Sequence, residues 1–137
     1  MTTPKELSDN ELLEQIENCS LSPELFTHET MLRLAWILIQ KHGLEVAIVK
    51  NATIKERYFK IALKSDKFNK TLTRAYVEIL SYFMTKSKTT NFDKLLREFP
   101  RLRHDFKNLV KTHYGYNILK EHRQEEPKDF RPILFSF

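Results

Sequence analysis

A chain of 137 residues with 41% hydrophobic and 12% aromatic content can bury one core, and its length points to a single domain. Two glycines against plentiful Lys, Glu, Leu and Ile favour long helices over turn-rich sheets, and one cysteine, Cys19, excludes a disulfide framework and a cysteine-type metal cluster. The net charge of +5 is unevenly spread, with one lysine against seven acids in residues 1–30 and eight bases against two acids in residues 50–74. Such a dipole can be satisfied inside a bundle, so nucleic acid is disfavoured as a partner.

The expected architecture is all-α: a bundle of five to six helices around a central helix over about 28–42, with an extended C-terminal tail packed on it. Residues 1–7 are expected to be disordered. Ser8-Asp9-Asn10-Glu11 has the spacing of a capping box and starts a short acidic helix over about 9–18, with Leu12, Leu13 and Ile16 inward. Cys19 reads as a small apolar packing residue. Ser22-Pro23-Glu24 marks a connector with one turn of helix.

In the central helix Thr27 is the expected N-cap, Glu29 suits the positive end of the dipole and Gly43 is the expected stop. Its wheel leaves a narrow polar stripe of Glu29, Arg33 and Gln40, and places His28, Met31 and Ala35 at the centre of the buried arc. Arg33 is expected to pair with Glu29 one turn before it.

From Leu44 to about Ser65, Leu44, Ala47, Ile48, Ile54, Tyr58, Ile61 and Ala62 project to one side. Lys50, Arg57, Lys60, Lys64 and Lys67 project to the other and form a basic face. Asn51 and Thr53 leave open whether this stretch is one helix or two. After a connection at Lys67-Phe68-Asn69-Lys70, a helix runs to about Lys86 with Leu72, Ala75, Tyr76, Ile79, Leu80 and Phe83 inward and Arg74, Glu78, Ser81 and Thr85 outward. Asn69, Thr73 and Tyr76 form a polar strip within its apolar arc.

Asn91 is placed to cap a short helix holding Leu95, Leu96 and Phe99, which Pro100 ends or interrupts. A helix over about 101–113 carries Leu102, Phe106, Leu109 and Val110, and Gly115 stops it. One further turn is expected over 116–120. Residues 121–137 form an irregular tail, whose Ile133, Leu134, Phe135 and Phe137 are too apolar to dangle free.

Several of these motifs carry a resemblance. Glu11-Leu12-Leu13, Glu17-Asn18-Cys19, Phe26-x-His28 followed by Leu32-Arg33-Leu34-Ala35-Trp36, Gly43, and Leu72-Thr73-Arg74-Ala75-Tyr76 resemble a family of small, uncharacterised bacterial all-helical proteins. The likeness covers most of residues 11–84. The family pattern has histidines at the places of Met31 and Asn69, which with the one matching His28 would supply a three-nitrogen metal site. This chain lacks two of those three ligands, so neither metal nor cofactor is expected. The resemblance still implies that His28, Asn69 and Thr73 come together.

Two functional readings follow. In the first, an internal polar pocket lined by His28, Met31, Asn69, Thr73 and Tyr76 holds an unidentified small molecule or is structural only. The alternative is an interaction module that uses the basic face against nucleic acid or an acidic protein. Gly-rich phosphate loops, Gly-x-Ser-x-Gly elbows and His-Glu-x-x-His pairs are absent, which argues against an enzyme. His42, His104, His113 and His122 read as surface residues. No apolar run reaches the roughly 18 residues of a membrane span. The first residues lack the apolar core of a secretion signal, so a cytoplasmic protein with no membrane partner is expected. The oligomeric state is open.

Overall fold

The computed structural model describes residues 6–114, and of Tyr114 only the backbone. The expectations placed on residues 1–5 and 115–137, among them the stop at Gly115, the turn over 116–120, His122 and the docked tail, lie outside the described residues. Within them the protein is an all-α helical bundle, with seven α-helices, one 3-10 turn and no strand. Its contacts divide the chain into two compact units, one up to Phe68 and one from Asn69 on.

The first unit opens with α1 (Asp9–Glu17). The Ser8 hydroxyl accepts from Glu11 N at 3.1 Å and the Glu11 carboxylate accepts from Ser8 N at 2.9 Å, the reciprocal bonds of a capping box. Leu12, Leu13 and Ile16 supply the buried side. The helix ends in a Schellman motif, with Ser20 N donating to Gln15 O at 2.8 Å and Cys19 N to Ile16 O at 3.1 Å. Cys19 occupies the left-handed position at φ 63, where glycine is usual.

After a 3-10 turn at Pro23–Leu25 comes α2 (His28–His42), capped by Thr27, whose hydroxyl accepts from Thr30 N at 3.2 Å. Thr30, Leu32, Leu34, Ala35, Ile37 and Leu38 are buried. His28 and Met31, expected at the centre of the buried arc, are only half-buried, because the buried side of α2 is centred on Leu34 and Leu38 and takes in Thr30 at its start. Thr30 goes inside instead, where its hydroxyl donates to Leu25 O at 2.7 Å. Gly43, at φ 83, ends α2 and begins α3 (Leu44–Ile61).

The third helix is one unbroken element. Thr53 does not break it, because its hydroxyl donates back to Val49 O at 3.1 Å within the same turn. It stops at Ile61, four residues before the expected end, and Lys64 turns the chain at φ 51. The three helices pack on one another and are fastened by side chains that reach carbonyls at helix ends or in turns. Tyr58 donates to Leu21 O at 2.7 Å, Arg57 to Glu17 O at 2.9 Å, and Arg33 to Leu7 O at 2.7 Å. Leu7, at the end of the stretch expected to be disordered, is thus held in place. Arg33 also pairs with Asp9 at 2.9 Å, an acid that α1 brings to it. Phe26 lies 4.3 Å from the Tyr58 ring and 6.2 Å from Phe59.

The second unit is built on α4 (Lys70–Lys86), in which Thr71, Thr73, Ala75, Tyr76, Val77, Ile79, Leu80 and Phe83 are buried. Then come α5 (Phe92–Glu98), capped by Asn91 as expected, α6 (Arg101–His104) and α7 (Phe106–Tyr114). The single helix expected over 101–113 is therefore two. Asp105 leaves helical geometry at φ −141, and its carboxylate accepts from Arg101 Nε at 2.9 Å and Asn108 Nδ2 at 2.6 Å, one on each side of the break. Tyr76 stacks on Phe106 at 4.5 Å, and Phe83 lies 4.9 Å from Phe99. His113, expected at the surface, is buried with Nε2 3.4 Å from the Glu78 carboxylate, which Arg74 also engages at 3.0 Å.

Candidate functional site

The five residues assigned to a polar pocket fall in different units: His28 and Met31 in the first, Asn69, Thr73 and Tyr76 in the second. Within the second unit, Asn69 is the N-cap of α4, its side-chain oxygen accepting from Leu72 N at 2.8 Å. That bond gives its carboxamide a structural task, because the first turn of a helix leaves backbone donors in need of acceptors. Thr73 and Tyr76 are buried, and enclosure of the Tyr76 phenol beside Phe106 pushes its pKa well above the usual range. Among the described residues no group of three His, Cys, Asp or Glu side chains could hold a metal ion.

The most unusual distribution of residues belongs to α3. Ala47, Asn51, Ile54, Lys55 and Tyr58 form its inner side and are all buried. Lys55 is 1% exposed, and loss of hydration pulls its ammonium down from 10.5 to about 7. The Tyr58 hydroxyl is pushed up to about 12, by burial first and by the nearby Cys19 thiolate charge second.

The outer side of the same helix is apolar where solvent contact would favour polar residues. Every exposed large hydrophobic side chain among the described residues lies on α3: Leu44, Val46, Val49 and Ile61. Val49 is 65% and Ile61 56% exposed. Lys50, Arg57 and Lys60 are exposed on the same side, while Lys64 and Lys67 are exposed beyond the helix end. At 100° per residue, Val46, Val49, Lys50, Arg57, Lys60 and Ile61 share an arc of about 120°, with Glu45 and Glu56 just outside it. The result is a mixed apolar and basic strip with no acid in it. Arg57 uses one N–H to hold the end of α1 through Glu17 O, so the strip is anchored to the neighbouring helix.

Sequence reasoning found the bases of this strip but neither its valines nor the lysine behind it. Leu44 and Ile61 had been placed inward because they extend the apolar row of Ala47, Ile54 and Tyr58. Centring the wheel on those three alone would have put Lys55 and Asn51 inside, and Val46 and Val49 out. No helix among the described residues is long and apolar enough to cross a membrane. Comparison with protein-family models, with curated proteins and with solved structures gives no match for the chain.

Proposed function

We propose that the chain is a non-catalytic interaction module whose outer α3 face docks an acidic protein. One observation carries this reading: three of the four exposed large apolar side chains of the described residues, Val46, Val49 and Ile61, share one arc of α3 with exposed bases and no acid, the fourth being Leu44 at the helix start. An acidic protein surface complements that strip in both respects, with carboxylates for Lys50, Arg57 and Lys60 and apolar groups for Val46, Val49 and Ile61. Nucleic acid fits it less well. Phosphates would leave the valines without partners, and the arc has no aromatic ring on which bases could stack. A membrane surface would call for Trp, Phe or Leu on the apolar side of such a helix, and this arc has none. The single cysteine suits a reducing cytoplasm, and the family resemblance suits a bacterial one.

The test is a titration of the 15N-labelled protein with two 15-residue acidic probes, oligoglutamate and an amphipathic Leu/Glu peptide, and with oligo(dT) of equal length. Amide shifts confined to the outer side of α3 with either acidic probe, weakened at least tenfold by Lys50→Glu with Lys60→Glu, are expected. Tighter binding of oligo(dT), or no α3 shifts with either peptide, would overturn the proposal.

A further inference from the structure

Resting on that reading, we infer that the element seated on α3 is an amphipathic acidic helix laid along it, whose facing side intersperses apolar residues with carboxylates as the strip intersperses Val46, Val49 and Ile61 with Lys50, Arg57 and Lys60. The recurring ways of holding a peptide can be told apart by what each demands of its receptor. Strand addition needs an open sheet edge, and the described residues contain no strand. A polyproline segment needs an aromatic-lined groove. The aromatic residues of α3 are Tyr58, which is buried, and Phe59, which is half-buried and lies outside the arc. A phosphorylated segment needs clustered arginines, and the arc has only Arg57, already donating to Glu17 O.

What α3 does offer is length and periodicity. From Val46 to Ile61 the strip runs about 22 Å at 1.5 Å per residue, the span of a partner helix of four turns. Val46 and Val49 stand one turn apart, the spacing that a facing helix meets with residues at i, i+3 and i+7. The bases at 50, 57 and 60 are distributed along that length instead of gathered at one point, so they match carboxylates repeated along a helix better than a single anionic group. Small β-branched side chains let a second helix approach closely, and the apolar contact so made excludes water from the ion pairs beside it.

The inference is tested by fluorescence anisotropy with three labelled 15-residue probes: the amphipathic Leu/Glu peptide, the same peptide with two central residues replaced by proline, and oligoglutamate. The amphipathic peptide should bind at least tenfold more tightly than both others and gain helical circular dichroism on binding. Val46→Asp with Val49→Asp should weaken it at least tenfold, and because both side chains are exposed the variant should keep the parent's melting curve. Equal binding of oligoglutamate or of the proline peptide would overturn the helical partner while leaving an acidic partner standing. Failure of all three probes would remove both. Two further outcomes overturn the inference by naming another occupant: concentration-dependent self-association abolished by Val49→Asp, which assigns the face to a second copy, and binding to phosphatidylserine vesicles abolished by the same change, which assigns it to lipid.

Discussion

The helices α2 and α3 meet at Gly43 and pack against each other, yet they sort their residues in opposite ways. In α2, Leu34, Ala35, Ile37 and Leu38 are buried, and none of the exposed large apolar side chains of the described residues belongs to it. In α3 a lysine is enclosed, and Val46, Val49 and Ile61 face outward. The two helices differ little in the number of apolar residues available; they differ in where those residues point. A helix held only by its neighbours in the fold would gain stability by exchanging Lys55 for an apolar residue and Val49 for a polar one. That both departures occur on the same helix, on opposite sides, separates a part shaped by packing from a part shaped by something else, because local rules are broken most often where function is served.

The contrast is broken most directly by truncating one side chain on each helix. Leu34 is fully buried, so Leu34→Ala should destabilise the protein by about 2–5 kcal/mol through lost transfer energy and the cavity left behind. Val49 is 65% exposed, so Val49→Ala should change stability by no more than about 0.5 kcal/mol, and alanine's better helix propensity tilts that change toward stabilisation. Urea denaturation of the two variants measures both. A loss at Val49 comparable to that at Leu34 would show the outer side of α3 to be packed core.

The inner side of α3 gives the second test, through pH. Lys55 has a folded pKa of about 7 against an ordinary 10.5, so between those values the unfolded chain binds a proton that the folded chain does not. Stability from this group therefore rises as pH increases from about 7 toward 10.5, and below 7 the charged form is enclosed at full cost. Lys55→Met, which keeps the volume and removes the charge, should raise the melting temperature by several degrees at pH 6. The advantage should shrink steadily between pH 7 and 10. Comparing parent and variant at each pH cancels the titration of the other groups. A pH-independent difference would mean that Lys55 keeps its charge in the folded state throughout.

Local chemistry was the most legible part of the fold. The capping box of Ser8 and Glu11, the caps Thr27 and Asn91 and the stop at Gly43 are set by residues within a few positions of one another, and each stands where its spacing put it. Two kinds of feature were hidden. The break at Asp105 is silent in the apolar pattern, since Leu102, Phe106, Leu109 and Val110 keep helical spacing across it, while the Asp105 carboxylate bridges it by accepting from Arg101 and Asn108. The fastening of α1 by Arg33 and Arg57 links residues 24 to 40 positions apart, which no window of a helical wheel contains. At the candidate site the bases were visible as charges, but the valines were not. Their spacing puts them outside only once the inner side is known to centre on Ala47, Ile54 and Tyr58, and that centre is set by the neighbours the fold supplies.

The smallest predicted effects concern the turns that bound α1 and join α2 to α3, and there the two positions of positive φ carry opposite signs. Gly43 sits at φ 83, and a Cβ built on it would meet nothing within 4 Å, so the effect of Gly43→Ala is conformational and not steric crowding by neighbours. With ψ at 172 the position lies in a region that essentially only glycine occupies, so forcing an L-residue into it should cost about 1–3 kcal/mol. Cys19 also has a positive φ, 63, with a side chain attached, and the Schellman bonds from Ser20 N to Gln15 O and from Cys19 N to Ile16 O run through backbone atoms that any residue supplies. Cys19→Gly should relieve the strain, while glycine's greater freedom in the unfolded chain offsets part of the gain, for a net stabilisation of under about 1 kcal/mol. The pair is read by chemical denaturation of the two single variants, with the parent alongside. Destabilisation by Cys19→Gly would show that the half-buried thiol contributes packing worth more than the strain of its backbone, and the end of α1 would then belong with the packed surface of α2.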